Sequence, residues 1–140
     1  MKAKFIKSFN QEIIKVKNQH LTMLDLLPYA ITWESEDRHY RIENQKKLVA
    51  LILKDKQHMV IIKSPYDKIE NDACIIDANS NIIWNLSVLL KQKTGVSNLL
   101  FSDVYYIKDS LFLFIIMANH DYRIEFNPIT GEFGELIESR

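Results

Sequence analysis

The chain has 140 residues, of which 47% are hydrophobic and 26% are charged, a composition typical of a single globular domain and not of a disordered chain. One cysteine, Cys74, excludes an internal disulfide, and its apolar neighbours indicate a buried core residue rather than a nucleophile. The longest apolar run, residues 111–118, is far shorter than the roughly 20 residues of a membrane-spanning helix, and residues 1–16 lack the apolar stretch of a signal peptide. We therefore expect one cytoplasmic domain, residues 1–140, without membrane association.

The charges are unevenly distributed, although their formal sum is zero. Residues 1–63 carry 12 Lys and Arg against 7 Asp and Glu, whereas residues 64–140 carry 6 against 11. The two halves can neutralise each other across the fold. Alternatively, the second half can form an acidic face toward a basic partner.

The first half of the chain reads as short strands separated by polar turns. Residues 2–17 fit either one helix face or two short strands, and we favour strands. Thr22 is placed to cap a single helical turn over residues 23–27, which Pro28 ends. Four strands follow, at residues 30–34, 39–43, 48–53 and 58–63.

The second half repeats this pattern more sharply. A hairpin joins strands at 73–77 and 81–86, and Ser87 is the predicted N-cap of a helix over residues 88–93 that Gly95 closes. The remaining strands are predicted at residues 104–107, 111–117, 122–126 and 133–137, the last of them after a loop that contains Pro128 and Gly131.

Two of these runs, residues 48–53 and 111–117, are apolar on both faces of a strand. Such a strand is typical of the centre of a sheet that is covered on both sides. The sequence therefore predicts a mainly β fold, an antiparallel meander that forms a strongly curled sheet, a barrel or a two-layer sheet, with one or two short helices.

The sequence contains none of the common catalytic or metal-binding motifs considered below. It has no glycine-rich phosphate loop, no H-E-x-x-H, no C-x-x-C and no His pair at metal-ligand spacing. We therefore predict no enzyme, no metal and no cofactor. A small hydrolase built on His120 and Asp121 is the least favoured alternative.

Nucleic-acid binding is the second alternative, because lysines near the N-terminus alternate with aromatic residues. Such a pattern can follow a phosphate backbone and stack on bases, or it can simply protect an edge strand from aggregation. The neutral isoelectric point makes nucleic acid the less favoured partner. The residues concerned are Lys2, Lys4, Lys7, Lys15, Lys17, Phe5 and Phe9.

Three segments carry a family resemblance: D-A-N-S-N-I-I-W-N-L at 77–86, D-V-Y-Y-I-K-D-S-L-F-L-F at 103–114, and Y-R-I-E-F-N-P-I-T-G-E at 122–132. Over residues 73–137 the chain resembles small bacterial immunity proteins of contact-dependent growth inhibition and related polymorphic toxin systems. The resemblance implies a cytoplasmic inhibitor that binds a toxin domain, often a nuclease, and blocks its active site. Such proteins are often acidic, so the neutral net charge departs from the family unless the acidic half forms the binding face.

We therefore expect a binding protein rather than an enzyme. Aromatic anchors ringed by charge are typical of tight protein interfaces. The predicted partner-binding residues are Glu70, Asp72, Asp103, Tyr105, Asp109 and Asp121, while Trp33 and Trp84 are assigned to the core. The sequence leaves the partner's identity and the oligomeric state open.

Overall fold

Three antiparallel sheets follow one another along the chain in the computed structural model, which describes residues 3–14 and 22–139. The first sheet contains β1 (Lys7–Glu12), β2 (Ala30–Ser35) and β3 (Arg38–Glu43). The second contains β4 (Leu48–Ile52), β5 (His58–Lys63), β6 (Asp72–Asp77) and β7 (Ile82–Asn85), after which comes helix α1 (Leu86–Thr94). The third contains β8 (Leu100–Ile107), β9 (Ser110–Met117), β10 (His120–Asn127) and β11 (Glu132–Glu138), in the order β11-β10-β9-β8.

The second sheet lies in the middle and is covered on both faces. Side chains alternate between the two faces of a strand, so β5 and β6 contribute to two separate cores. Met59 and Ile61 pack with Ile31 and Trp33 of the first sheet. Their neighbours on the opposite face, Val60, Ile62, Ala73 and Ile75, pack with Leu111, Leu113 and Ile115 of the third sheet.

This arrangement confirms the mainly β, antiparallel fold and corrects which strands are covered on both sides. β5 and β6 bury four consecutive residues each. β4 lies at the edge of the second sheet rather than at its centre, but it is covered on both sides as predicted, because alternate residues of the strand pack into the two cores. β9 buries one row of side chains, but the other row is only half-buried, because no described part of the chain forms a further layer over it.

Local predictions near the helices are partly confirmed. Gly95 ends α1 in the left-handed conformation, at φ 71°. The predicted N-cap was wrong: the side chain of Asn85 accepts the Val88 N–H at 3.2 Å, whereas Ser87 Oγ accepts the Ala73 N–H at 2.9 Å. Asn85 takes this role because it is the last residue in extended conformation before the helix.

Over residues 3–14 the N-terminal part contains the single strand β1, so the preference for strands over a helix is confirmed, but the chain is not divided into two strands there. β1 pairs with β2 and is interrupted by a register shift next to Ser8, whose φ is 53°. The predicted helical turn over residues 23–27 is the shorter 3-10 turn Leu24–Leu26. Its N-cap position is Met23 rather than Thr22, although Thr22 Oγ accepts the Asp25 N–H at 3.3 Å. The predictions for Lys2 and for residues 15–17 lie outside the described residues. Among the helices described, none has the length and apolar character needed to cross a bilayer.

Both tryptophans tie neighbouring sheets together. Trp33 is fully buried and donates its indole N–H to the Ala78 carbonyl at 2.8 Å. Trp84 is half-buried and donates to the Pro128 carbonyl at 2.8 Å, in the loop between β10 and β11. The assignment of Trp33 to the core between the first and second sheets is therefore confirmed. Trp84 is only partly buried and packs against the other core, between the second and third sheets.

Candidate protein-binding face

The outward-facing side of the third sheet carries a mixture of aromatic and charged side chains. Residues directly paired across an antiparallel sheet point to the same face. Since Leu113 and Ile124 point into the core, their neighbours in β9 and β10 point outward. The outward residues form two rows across the strands, Asp103–Phe114–Arg123 and Tyr105–Phe112–Glu125.

The aromatic side chains of this outer face are held in place by stacking. The ring of Tyr105 lies on that of Phe114, with centroids 4.3 Å apart and planes at 21°. The Arg123 guanidinium lies 5.9 Å from the centroid of Phe112. Tyr105 nevertheless keeps 45% of its surface exposed. A rigid, exposed aromatic side chain loses little conformational entropy on binding, which suits an interface anchor.

The carboxylates of the outer face form no ion pair with any side chain that the structure describes. Among the described residues, none of Asp103, Asp121 and Glu125 has a cationic side chain within 4.0 Å. Asp103 Oδ1 accepts only the backbone N–H of the next residue, at 2.8 Å. A shallow groove of about 260 Å³, between Tyr66 and Tyr105, contains both Asp103 and Asp121. The structure thus brings together three of the six predicted partner-binding residues.

Asp109 has a different environment, in the turn between β8 and β9. It accepts a hydrogen bond from the Lys54 ammonium, which lowers the pKa of Asp109. Lys54 also lies over the Tyr106 ring, 4.7 Å from its centroid, and donates its backbone N–H to the Tyr106 hydroxyl at 3.0 Å. This carboxylate therefore helps to join the second and third sheets.

Glu70 is likewise engaged within the chain. Its carboxylate lies 2.9 Å from Lys46 Nζ, which also contacts Asp67 at 2.7 Å. The hydrogen bonds from Lys46 and then from two backbone N–H groups lower the pKa of Asp67 to about 2, and both carboxylates raise the pKa of Lys46. Glu70 is therefore less available to a partner than Asp103 or Asp121.

Asp72, the last of the six predicted residues, begins β6 opposite Lys63. It is exposed, and it lies near Cys74, where burial first and the Asp72 charge second raise the pKa of the thiol to about 11. A raised thiol pKa keeps Cys74 protonated and unreactive at neutral pH, which fits its assignment to the core.

Phe112, Phe114 and Glu125 of the outer face were missed by the sequence reasoning. The two phenylalanines belong to the apolar run that was interpreted as covered on both sides. The sequence shows that both phenylalanines point away from the face that carries Leu111, Leu113 and Ile115. It does not show whether that second face is buried or is an exposed binding face.

The basic and aromatic residues near the N-terminus that the structure describes lie in different environments. Lys4 pairs with Glu36 at 3.3 Å, and Lys7 lies opposite Glu34 in the sheet. Phe9 packs against the core between the first and second sheets, while Phe5 is 44% exposed. Lys2, Lys15 and Lys17 lie outside the described residues.

His120 and Asp121 follow one another in β10, so their side chains point to opposite faces of the sheet. His120 Nδ1 lies 4.0 Å from a Glu138 carboxylate oxygen at the exposed surface. This geometry does not orient the histidine and Asp121 toward a common substrate. The described part of the chain also holds no cluster of three or more His, Cys, Asp or Glu residues suited to a metal ion.

Comparison with known proteins gives a relative in structure but not in sequence. No family model matches the chain, and no curated protein matches it. A chain in the structure of Tne2 in complex with Tni2 superposes with a TM-score of 0.71 at 15% identity, covering 97% of this chain and 100% of that one. This chain has the same fold. The agreement over nearly all of both chains includes all three sheets.

Proposed function

We propose that this chain is an immunity protein, which binds a cognate bacterial toxin domain and occludes its active site. The observation that carries the proposal is the outer face of the third sheet, where Tyr105 stacks on Phe114 beside the unpaired carboxylates of Asp103 and Asp121. Tyrosine is enriched among the residues that dominate interface energetics, and a rim of charge speeds association and selects the partner.

The unpaired carboxylates favour a basic partner. Asp109 and Glu70 would have to exchange an existing ion pair for a new one, whereas Asp103, Asp121 and Glu125 have none to lose. A toxin that cleaves nucleic acid suits this face, because sites that bind phosphodiester backbones are lined with Lys and Arg. The acidic second half of the chain would then mimic the charge of the substrate.

The size of the outer face can be compared with that of a protein interface. Strands β8, β9 and β10 have eight residues each, so the four-stranded face measures roughly 27 Å by 19 Å, on the order of 500 Å² in projection. A standard interface buries about 800 Å² of accessible surface per partner. The projected area of the sheet is smaller than this value, so an interface of standard size would also include the adjoining loops.

Two further observations agree with the proposal. The sequence of residues 73–137 resembles immunity proteins of polymorphic toxin systems. The fold is shared with a chain that was determined as part of a two-protein complex, Tne2 with Tni2. An inhibitor of this kind would act in the cytoplasm, where a single unpaired cysteine stays reduced.

Growth rescue tests the proposal. The C-terminal domain of a large secreted protein encoded directly upstream would be expressed with and without this chain in a sensitive bacterium. We expect the wild-type chain to restore growth, and the triple variant D103N/Y105A/D121N to fail although its thermal midpoint stays close to wild type.

The matched control is the double variant E70Q/D109N, which removes as many carboxylates from outside the outer face and should still restore growth. The proposal is overturned if the toxin domain remains active beside the wild-type chain, and the assignment of the face is overturned if the triple variant protects as well as the control.

A further inference from the structure

A second groove lies at the end of the third sheet where β8 begins and β9 ends. Its volume is about 330 Å³, and its lining includes Tyr66, Leu99, Leu100, Ile116 and Ala118. Leu100 and Ile116 are directly paired in the sheet, so both side chains belong to one surface. The groove is therefore a depression beside the outer face with an apolar floor, and Lys68, Asn98 and Asn119 complete its lining.

Tyr66 connects this apolar groove with the acidic groove that holds Asp103 and Asp121. It lies in the loop between β5 and β6, has 52% of its surface exposed and lines both grooves. Lys68, two residues further along, stands at the apolar groove. The charge thus changes along the surface: Lys68 lies at the apolar groove, whereas Asp103 and Asp121 line the acidic groove, with Arg123 paired to Phe114 beside them.

The distance between the two grooves matches the repeat of an extended peptide. Ile116 and Phe114, one in each groove, are two residues apart in β9 and so lie about 7 Å apart on the same face. In an extended partner segment, side chains i and i+2 have the same spacing and also point to one side. A segment that lies along β9 can therefore place one side chain in each groove.

We infer that the two grooves together bind an extended segment of the partner protein in which an apolar residue and, two positions away, an Arg or Lys face the sheet. The apolar side chain fills the groove around Ile116, and the cation reaches Asp103 and Asp121. Lys68 opposes the reverse placement by repulsion. This inference rests on the proposed function and adds the chemistry of the segment that is recognised.

Short synthetic peptides test the inference on the intact chain. Titration of ¹⁵N-labelled protein with N-acetyl-Leu-Ser-Arg-amide should give saturable amide shifts confined to residues around Tyr66, Ile116, Asp103 and Asp121, with a dissociation constant on the order of millimolar. N-acetyl-Leu-Ser-Glu-amide and N-acetyl-Ser-Ser-Arg-amide should each bind at least about fivefold more weakly, since each lacks one of the two contacts.

Variants then separate the two grooves. D103N/D121N should abolish the preference for Arg over Glu while leaving the leucine contact, and Y66A should weaken the Leu-Ser-Arg peptide without removing its charge preference. E70Q/D109N is the matched control and should bind like wild type.

The inference is overturned if the Arg and Glu peptides bind equally to the wild-type chain, if the shifts lie outside both grooves, or if no saturation occurs at tens of millimolar. Its failure is distinct from failure of the proposed function. Growth rescue that depends on Asp103 and Asp121 without peptide selectivity overturns only the inference, whereas absence of rescue overturns the proposed function whatever the peptides show.

Discussion

The side-chain amide of Asn71 pairs with the backbone of Phe101 as a strand residue would. Asn71 Oδ1 accepts the Phe101 N–H at 2.7 Å, and Asn71 Nδ2 donates to the Phe101 carbonyl at 2.8 Å and to the Ser64 carbonyl at 3.1 Å. One amide therefore joins the loop between β5 and β6 to the start of β8. It also fixes the base of the loop that places Tyr66 between the two grooves.

Replacing Asn71 by alanine should lower the free energy of unfolding by about 2 kcal/mol, because partly buried backbone groups lose their hydrogen-bond partners. Urea denaturation measures the change. The control is N98A. Asn98 is exposed, and its side chain makes no hydrogen bond among the described residues. We expect this substitution to change the free energy of unfolding by less than about 0.5 kcal/mol. Equal effects of the two substitutions would contradict the role of the amide.

Replacing each of the three glycines by alanine should lower the free energy of unfolding by different amounts, which depend on the backbone conformation and on the space around each glycine. Gly131 has φ +77°, and a Cβ there would lie 2.5 Å from two ring atoms of Trp84. G131A should therefore destabilise the fold by about 2 kcal/mol or more, since left-handed strain and a clash add. Because Trp84 contacts the same loop, its fluorescence should change as well.

Gly95 and Gly134 are the matched controls for this substitution. Gly95 has φ +71° with open space around it, so G95A should cost only the strain of about 1 kcal/mol. At Gly134 the nearest atom would be 3.5 Å away, an ordinary contact, so G134A should be nearly neutral. A G131A variant no less stable than G95A would show that the loop moves away from Trp84 without cost.

Cys74 should be protected from alkylation in the folded chain. Burial raises the pKa of its thiol to about 11 from the ordinary value of 9.0. The neutral thiol is therefore favoured by folding. Its contribution to stability is complete below pH 9.0 and is lost as the pH rises through about 11.

Iodoacetamide labelling followed by mass measurement checks this pH dependence. The labelling rate in native buffer should keep rising to well above the pH at which the rate in concentrated urea levels off. Coincident profiles in the two solvents would mean that Cys74 is not shielded.

The Asp67 carboxyl should titrate well below the ordinary pKa of an aspartate. Hydrogen bonds from Lys46 and from the backbone N–H groups of Glu70 and Ile69 lower its pKa to about 2 from 3.8. Stability that depends on this ion should therefore be present above pH 3.8 and be lost as the pH falls through about 2. Carboxyl ¹³C NMR measures the midpoint.

In the variant K46M the midpoint of Asp67 should rise, but it should stay below 3.8 because the two backbone donors remain. Added salt should move the wild-type value in the same direction, since the pair is exposed to solvent. An unchanged midpoint in K46M would place the cause in the backbone alone. The control K54M should leave Asp67 unaffected.

Local chemistry predicts most strands of this fold because the polar turns are explicit. Residues at Ser80, Asp109 and Asn119 adopt positive φ, as such turns require. The order of the layers has no local signal. The run 111–117 and the run 59–62 are both apolar on two faces, yet only the second is covered on both sides, because coverage depends on which sheets meet in space.

The candidate site was only partly predictable for a related reason. Asp103 and Asp109 look alike in sequence, since they stand at the two ends of the same short segment, residues 104–108. What separates them is Lys54, which lies 55 positions before Asp109 and pairs with it. Long-range pairing of this kind cannot be read from neighbouring residues, whereas the alternation that places Tyr105 and Phe114 on one face of the sheet is local.

The alternation along β9 separates two selective pressures within one strand. Packing in the core constrains one set, which contains Leu111, Leu113 and Ile115. Contacts at the outer surface constrain the other set, which contains Phe112, Phe114 and Ile116. The outward residues of this strand can therefore be substituted as a binding partner changes, while the inward residues are kept by the core. A lineage of such proteins would diverge in sequence far faster than in shape.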